Sequence, residues 1–250
     1  MKPLVIANWK MNPLSSSEAD NLFSTVKKEA KKLFADVVIC PPYIYLQGFQ
    51  YPTEGISLGA QNMFYEERGA YTGEVSAIML KSLGVSYVIL GHSERRSYFG
   101  ESDQLINKKL KEALRCRIRP ILCVGEKNRD ERDIYEQEIE QQIVVALEGV
   151  SSTRVADVII VYEPTWTIST SSEGHAATPE DILKMSVLLR KILTKLYGRP
   201  IAHRVKLLYG GSVTSHNVHE FVVESKMDGV LVGAASLNVG EFVNLIKSIS

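Results

Sequence analysis

The chain has 250 residues, of which 45% are hydrophobic and 23% are charged, and its formal net charge is zero. This length and composition fit one large soluble domain, which we expect to span residues 1–250. A neutral charge balance argues against nucleic acid as a partner. No apolar run approaches the ~18 residues that a membrane span needs, so no membrane partner is expected.

The start of the chain and its cysteines indicate a reducing compartment. Met1 to Ile6 lead straight into a strand-like segment, so we expect no cleavable leader. Cys40, Cys116 and Cys123 make an odd count without metal-type spacing, and Cys40 and Cys123 fall within strand patterns. We therefore expect buried, reduced thiols and a cytoplasmic protein.

Short β-branched segments alternate with longer helical patterns along the chain. In chain order, we predict strands at Leu4–Trp9, Asp36–Cys40, Ser57–Asn62, Ser86–Gly91, Pro120–Gly125, Asp157–Glu163, Arg204–Tyr209 and Asp228–Gly233. Between them, apolar residues recur at helical spacing in the sets Leu22, Val26, Ala30, Leu33; Ile139, Ile143, Ala146, Val150; and Ile182, Met185, Leu189, Ile192, Leu196. Thr178-Pro179-Glu180-Asp181 predicts a helix start, and the last predicted helix is Gly240–Ser250.

The composition of the strands indicates how these elements are arranged. The strands are nearly all apolar rather than alternating, which is typical of a parallel sheet covered by helices. About eight such units in a chain of this length predict an α/β fold, a single-domain (β/α)8 TIM barrel. An open doubly wound sheet is the alternative, but it normally carries a Gly-rich loop after the first strand, and none is present.

Unusual polar residues stand where the predicted strands end. Asn8 and Lys10 close the first strand, His92 follows the fourth and Glu163 ends the sixth. In a closed barrel these ends converge on one face, where active sites are built. Each residue also has a plainer explanation, as a surface charge, a histidine satisfied near the core or a helix-capping acid. Their convergence favours a shared site.

Two Gly-containing turns add an anion-binding feature to the same face. Tyr209-Gly210-Gly211-Ser212 follows the seventh strand and Gly233-Ala234 follows the eighth. Backbone N–H groups in such turns bind phosphate-like anions, although Gly-Gly-Ser also occurs in ordinary turns. A lysine, a histidine, a carboxylate and a phosphate cradle together indicate general acid–base chemistry on a phosphorylated carbonyl compound.

Motifs spread in order over essentially the whole chain resemble those of the triosephosphate isomerase family. They are Asn8-Trp9-Lys10-Met11-Asn12, Val38-Ile39-Cys40-Pro41-Pro42, Gly59-Ala60-Gln61-Asn62, Gly69-Ala70-Tyr71-Thr72-Gly73-Glu74, Gly91-His92-Ser93-Glu94-Arg95-Arg96, Pro120-Ile121-Leu122-Cys123-Val124-Gly125-Glu126, Tyr162-Glu163-Pro164, Tyr209-Gly210-Gly211-Ser212-Val213, and Asp228-Gly229 with Leu231-Val232-Gly233.

The resemblance implies a role for each matching residue. Glu163 would be the base that moves a proton between adjacent carbons of dihydroxyacetone phosphate or D-glyceraldehyde 3-phosphate. A neutral His92 would polarise the carbonyl, and Lys10 would supply positive charge to the oxyanion and the phosphate. Asn8 would hold the carbonyl oxygen, and Glu94 would orient Lys10. Because the reaction only relocates protons, no metal or organic cofactor is expected. The implied phosphate ligands are the backbone amides of Ser169, Ser212, Gly233 and Ala234.

The segment after Glu163 departs from the family pattern. The family's lid begins with Pro-x-Trp and continues Ala-Ile-Gly-Thr-Gly-Lys. Here Pro164-Thr165-Trp166 is followed by residues 167–177, which read Thr-Ile-Ser-Thr-Ser-Ser-Glu-Gly-His-Ala-Ala. Both glycines are serines, the lysine is missing and the segment is about three residues longer. We expect the lid to close with an altered hinge. The lid and lid-docking residues are predicted to be Pro164, Trp166, Ile168, Gly174, Tyr209 and Leu231.

A long loop after the third strand resembles the family's interdigitating dimer loop. It runs from Phe64 to Glu74 and includes Thr72 and Gly73. By this resemblance the protein would be a homodimer in which the loop of one chain supports Asn8 and Lys10 of the other. A surface excursion is the plainer explanation. Elsewhere, His175 is expected to be an exposed loop histidine. His216 and His219 have helical spacing but no evident third ligand, so no metal site is expected.

Three hypotheses follow for function. The first is an active isomerase that closes this variant lid. The second is a barrel that binds phosphorylated ligands or another protein but has lost efficient turnover. The third is another phosphate-handling barrel enzyme such as an aldolase, but this chain has no candidate Schiff-base lysine separate from Lys10. The intact set Asn8, Lys10, His92, Glu94 and Glu163 favours the first.

Overall fold

The protein folds as a closed barrel of eight parallel strands surrounded by helices. The computed structural model describes residues 2–49, 55–127, 134–167 and 177–250. The strands are β1 (Leu4–Asn8), β2 (Asp36–Cys40), β3 (Ile56–Ala60), β4 (Tyr87–Leu90), β5 (Arg119–Val124), β6 (Ile159–Tyr162), β7 (Lys206–Tyr209) and β8 (Gly229–Val232). Their order around the barrel follows the chain, and β8 closes against β1. The predicted (β/α)8 architecture is confirmed, and the open sheet is excluded.

Helices follow the strands along the chain. They are α1 (Ser16–Ala30), α2 (Tyr43–Leu46), α3 (Ala77–Ser82), α4 (Ser93–Phe99), α5 (Asp103–Arg115), α6 (Ile134–Ala146), α7 (Ser152–Val155), α8 (Pro179–Tyr197), α9 (Arg199–Ala202) and α10 (Val239–Lys247). Single turns of 3-10 helix lie at Gln47–Phe49, Thr165–Thr167 and Ala234–Leu237, and Glu220–Glu224 forms a turn of π-helix. No helix of the described ranges is long and apolar enough to cross a membrane.

Two apolar layers explain why the strands are apolar on both faces. Alternate strand residues, such as Leu4 and Ile6, point into the barrel and pack with Val38, Ile89, Ile121, Ile159, Val161, Leu208 and Leu231. The residues between them, such as Val5 and Ala7, pack outward against the helices. Burial on both faces removes apolar surface from water along the whole strand, which is the pattern that predicts a covered parallel sheet.

The predicted helical faces are buried except at two positions: Leu33, which is half-buried beyond the end of α1, and Leu196 of α8. Ile182, Met185, Leu189 and Ile192 of α8 are buried, but Leu196 is 38% exposed. Leu193, which is fully buried, takes the next inward position. The predicted start of α8 is confirmed, because the Thr178 side chain accepts a hydrogen bond from the Asp181 N–H while Asp181 accepts one from the Thr178 N–H.

Candidate active site

One cavity of about 230 Å³ lies at the carboxyl ends of the strands. Asn8 ends β1, Lys10 follows it, His92 lies between β4 and α4, and Glu163 directly follows β6. All four line this cavity together with Leu231 of β8. The two predicted phosphate-binding turns line it as well, through Gly210, Gly211, Ser212, Gly233 and Ala234. The residues that the sequence placed at separate strand ends therefore share one space.

The carboxylate of Glu163 is buried and held by two donors. Its Oε1 atom lies 2.8 Å from Nε2 of His92, and its Oε2 atom accepts a hydrogen bond of 2.9 Å from the backbone N–H of Ser93. Glu163 and His92 are each only 4% exposed. The plainer explanation of Glu163 as a helix-capping acid is partly met by the Ser93 bond at the start of α4. A helix-capping role does not explain why the His92 imidazole lies against the other carboxylate oxygen, Oε1.

The bonds around His92 assign its proton. Its Nδ1 atom accepts a hydrogen bond of 3.3 Å from the backbone N–H of Glu94, in the first turn of α4. An atom that accepts cannot carry the proton, so the proton of the neutral ring is on Nε2, where it is donated to Glu163. In this arrangement the ring presents an N–H donor toward the cavity.

Opposing influences act on the pKa values of this pair. Burial raises the pKa of Glu163, but the contacts with His92 and the Ser93 N–H outweigh it and hold the pKa below its ordinary value. Burial lowers the pKa of His92, but the Glu163 carboxylate outweighs it and raises the pKa above its ordinary value. Because the His92–Glu163 contact contributes to both shifts, both become smaller when the two side chains separate.

Glu94 connects the imidazole to the lysine. While its backbone N–H bonds to His92, its carboxylate Oε1 atom lies 2.7 Å from Nζ of Lys10. The side chains of Lys10 and Glu94 are 31% and 39% exposed, so the pair is partly accessible to solvent. One residue thus fixes both the ring orientation of His92 and the position of the Lys10 ammonium.

The backbone of Lys10 is held in an unfavourable conformation. Its φ is 52°, in the left-handed region that costs a non-glycine residue on the order of 1–3 kcal/mol. The Asn8 side chain accepts from the Lys10 N–H at 3.1 Å, and the Gln61 side chain donates to the Lys10 carbonyl at 2.8 Å. These two bonds fasten the turn that aims Lys10 into the cavity. Gln61 belongs to a family motif, but no role was predicted for it.

Comparisons with known proteins bear on this site. A family model for triosephosphate isomerase matches residues 3–249. The triosephosphate isomerase of Carboxydothermus hydrogenoformans is 43% identical over 249 residues, which cover 98% of each chain. Those of Alkaliphilus oremlandii and Dictyoglomus turgidum are 43% and 42% identical, and each match covers at least 98% of both chains.

The chain belongs to the triosephosphate isomerase family. This confirms the resemblance seen in the sequence motifs. The protein is therefore an enzyme of the intramolecular aldose–ketose isomerase type, and the aldolase hypothesis is wrong.

The turns after β7 and β8 form a part of the cavity that consists of backbone rather than charged side chains. Gly210, Gly211 and Ser212 follow β7, and Gly233 and Ala234 follow β8. The ammonium stem of Lys10 approaches this part, since a β-carbon on Gly233 would lie 3.4 Å from Cε of Lys10. Thr214 and Ala235 also line this part of the cavity and were not predicted, and Val213, which lines it too, belongs to a family motif but had no predicted role.

The described part of the predicted lid hinge is anchored to a buried carboxylate. Trp166 donates its indole N–H to Oε1 of Glu126 at 2.9 Å, and the Tyr162 hydroxyl donates to the same atom at 2.8 Å. Glu126 is fully buried and was quoted in a motif without a predicted role. Pro164, at the start of the hinge, is also buried. Ile168, Ser169, Gly174 and His175 lie outside the described residues.

The lid-docking residues Tyr209 and Leu231 lie on β7 and β8, the two strands that follow β6 around the barrel. Tyr209 is buried at the end of β7 and packs on Phe221, with ring centroids 4.8 Å apart. Leu231 is buried in the barrel interior and faces the cavity. Ser212 is exposed, and its carbonyl accepts a hydrogen bond from Asn217.

The predicted dimer loop is exposed. Phe64 pairs with Ser76 at its base, and the Glu74 N–H donates to the Tyr71 carbonyl at 3.0 Å near its tip. Thr72, Gly73 and Glu74 are all exposed, and a β-carbon on Gly73 would meet no atom within 4 Å. The loop therefore projects from the chain.

No group of three His, Cys, Asp or Glu side chains that could hold a metal occurs in the described ranges. His216 and His219 are both exposed. Cys40 and Cys123 are buried free thiols, and Cys116 is a half-buried one. Burial raises the pKa of Cys123 well above its ordinary value, so this thiol is unreactive.

Proposed function

We propose that the protein interconverts dihydroxyacetone phosphate and D-glyceraldehyde 3-phosphate through an enediolate, with Glu163 as the base. The observation that carries this is the 2.8 Å contact between Glu163 and His92 in the cavity that Lys10 also lines. A carbon acid next to a carbonyl loses its proton slowly, so a base must act while fixed donors stabilise the oxyanion. The site supplies both kinds of group.

Substrate binding would release the base. In the contact with His92 and Ser93 the pKa of Glu163 is lowered, which makes the carboxylate a weak base. A substrate carbonyl oxygen that accepts the Nε2 proton of His92 would displace one of these contacts. Burial, which already acts to raise the pKa of Glu163, would then be less opposed, so the pKa and the basicity of the carboxylate would rise.

Protons and electrons balance in the proposed sequence. Glu163 takes a proton from C1 of dihydroxyacetone phosphate, the electron pair forms the C1–C2 double bond, and the C2 oxygen becomes an oxyanion. His92 and the Lys10 ammonium stabilise this charge. A proton then moves between the two oxygens by way of His92, and Glu163 returns its proton to C2. No cofactor takes part, because nothing is oxidised or reduced overall beyond the substrate's own two carbons.

Asn8 would supply a further donor to the oxyanion. Its Oδ1 atom accepts from the Lys10 N–H, so the other terminal atom of the amide is an NH₂ group. Asn8 lines the cavity beside Lys10, so this NH₂ group belongs to a side chain of the cavity wall. A hydrogen bond from it to the carbonyl oxygen would be stronger in the oxyanion than in the ground state, which lowers the barrier.

The substrate phosphate would occupy the backbone-lined part of the cavity. Backbone N–H groups of Ser212, Gly233 and Ala234 are the proposed donors, with the Lys10 ammonium nearby. The lid would add the Ser169 amide and close Ile168 against Leu231. Support for this closure is the hinge start at Pro164 and Trp166, which is held by the indole bond to Glu126.

We also propose a homodimer built on the exposed face around the Thr72–Glu74 loop tip. Large apolar side chains are exposed on the segments that follow the first four strands, which are neighbours around the barrel. They are Met11, Leu14, Ile44, Tyr71, Ile78, Met79, Tyr98 and Phe99. An apolar patch of this kind marks an interface between proteins. Because Met11 adjoins Lys10, burial of this face would also support the strained turn of the site.

A single assay tests the proposed function. The purified protein is given D-glyceraldehyde 3-phosphate, and both dihydroxyacetone phosphate and methylglyoxal are measured. We expect isomerisation with little methylglyoxal, because a closed lid protects the enediolate from loss of phosphate. Binding of inorganic phosphate without any turnover would instead support the hypothesis of a barrel that binds phosphorylated ligands only.

A further inference from the structure

A buried glutamine outside the substrate cavity contacts the strand end beside the proposed base. Gln142 lies on α6 and is 7% exposed. Its Oε1 atom accepts a hydrogen bond of 3.0 Å from the Gly125 N–H, and its Nε2 atom donates one of 3.1 Å to the Gly125 carbonyl. The side-chain amide therefore pairs with both polar groups of a single residue.

The sheet explains why Gly125 needs this partner. β4 and β5 pair up to Leu90 and Leu122, after which the chain beyond β4 turns away into α4. On the other side, β6 continues the ladder, since the Glu163 N–H donates to the Val124 carbonyl at 2.8 Å. Gly125 directs its own N–H and carbonyl to the side that β4 has left. Gly125 is half-buried, and without Gln142 these two groups would lose their partners within the protein.

Gly125 in turn lies directly against the main chain of Glu163. A β-carbon on Gly125 would overlap the Glu163 carbonyl group and would lie 3.2 Å from the Pro164 nitrogen. The Thr165 N–H donates to the Glu126 carbonyl at 3.2 Å, so the contact is fixed on both sides of Gly125. Any movement of the Gly125 peptide must therefore move the peptide that carries the Glu163 side chain.

We propose that Gln142 is a positioning residue for the catalytic base, acting through the Gly125 peptide. The inference rests on the proposed role of Glu163. The proposed phosphate donors follow β7 and β8, whereas Gln142 bonds to Gly125 after β5, so loss of Gln142 should misplace the base without weakening substrate binding. A displacement of about 1 Å in a catalytic group can cost on the order of 100-fold in rate.

The test compares Gln142→Met with Gln141→Met, since Gln141 is the same residue type next door and is exposed. We expect kcat of Gln142→Met to fall about 10- to 100-fold with KM within about twofold of the parent. Gln141→Met should match the parent. Equal kcat values for the two variants at equal thermal stability would overturn the proposal.

A second variant separates positioning from simple loss of stability. In Gln142→Glu, an ionised carboxylate can accept from the Gly125 N–H but cannot donate to the Gly125 carbonyl, whereas the protonated acid can do both. Burial and the carboxylate of Glu138, which lies 3.4 Å from Nε2 of Gln142, should raise the pKa of the introduced group. The kcat of Gln142→Glu relative to the parent should therefore rise as the pH falls.

The charged groups around this position decide where that change occurs. Glu138 itself has a raised pKa because of burial and the nearby Glu126, and the other charges that act on it are Lys127, Arg96 and Asp103. In the double variant Glu138→Gln/Gln142→Glu the pH dependence should move to lower pH, because one like charge is gone. A constant loss at every pH in Gln142→Glu would show a merely structural role and would overturn the proposal.

Failure of the proposed function can be recognised separately. If the parent protein does not isomerise triose phosphates, the proposed function is wrong, whatever Gln142 does. The position of Glu163 can be monitored without turnover, through the ¹⁵N chemical shift of Nε2 of His92, because this shift depends on the contact with the carboxylate. We expect Gln142→Met to change this shift and Gln141→Met to leave it unchanged; an unchanged shift in both would overturn the inference.

Discussion

The imidazole of His92 donates its Nε2 proton to the carboxylate of Glu163 across 2.8 Å, and both side chains are buried. The two groups proposed to act on opposite sides of a substrate therefore bind each other in this structure. The contact stabilises the protein and restrains the base at once. Substrate must replace it, so the same contact connects stability, pH dependence and catalysis.

The pH dependence of stability follows from this contact. The pKa of His92 is raised above its ordinary 6.5, so its contribution is full below pH 6.5 and is lost as the pH rises through the folded value. The pKa of Glu163 is lowered from its ordinary 4.5, so its contribution is full above pH 4.5 and is lost as the pH falls through the folded value. The free energy of unfolding, compared between the parent and Glu163→Gln, should differ most between about pH 4.5 and 6.5 and less at higher pH. A difference that grows as the pH rises would contradict this.

The contact between Lys10 and Glu94 predicts which of two substitutions, Lys10→Met or Glu94→Gln, lowers activity more. Lys10→Met removes the positive charge beside the oxyanion and should lower kcat/KM about 100- to 1,000-fold. Glu94→Gln leaves a carbonyl oxygen that can accept from the Lys10 ammonium, and the backbone N–H that bonds to His92 is unchanged, so its loss should be smaller. Steady-state kinetics of both variants measures this order. A Glu94→Gln variant as impaired as Lys10→Met would show that Glu94 does more than orient the lysine.

The exposed apolar face predicts the effect of one surface change. Phe99 is 68% exposed on the face proposed to form the dimer, and Phe34 is 58% exposed at the end of α1, away from it. Phe99→Ser should shift the protein from dimer toward monomer in light scattering and should lower its activity per chain, whereas Phe34→Ser should do neither. A parent protein that is a fully active monomer at micromolar concentration would refute the dimer proposal.

A buried ion pair near the site predicts a large loss of stability. Lys109 and Glu101 are each 3% exposed, and Nζ of Lys109 lies 2.6 Å from Oε1 of Glu101. Lys109→Met would leave the buried Glu101 with Arg95 as its remaining cation and would remove the donor to the Asn62 side chain, which should cost about 1–3 kcal/mol. Lys108→Met, at the exposed neighbouring position, should cost less than about 1 kcal/mol. Urea unfolding of the two variants measures the difference, and equal values would contradict the account.

The barrel and the rim residues could be predicted because both depend on local sequence. Apolar runs marked all eight strands to within a few residues, since burial on both faces leaves few polar positions inside a strand. Polar residues directly after those runs, such as Asn8 and Glu163, then had to lie at the carboxyl rim. The family resemblance supplied the roles.

Residues that act through long-range pairing could not be predicted in this way. Gln61, Glu126 and Gln142 lie in ordinary strand-end or helical patterns, and only the fold shows that they bond to Lys10, Trp166 and Gly125. Glutamine and glutamate are common on exposed helix faces, so nothing in the local pattern marks these as buried. The predicted burial of Leu196 was wrong for a related reason, because the helical spacing also allowed Leu193 as the next buried position.

The most direct test of the central claim is the turnover of Glu163→Gln. The substituted amide can still accept from the Ser93 N–H, so the variant should keep its fold and should still bind inorganic phosphate as a competitive ligand. We expect kcat for isomerisation to fall about 100- to 10,000-fold, since a neutral amide cannot take a proton from carbon. Turnover within about tenfold of the parent would show that another group is the base and would contradict the account.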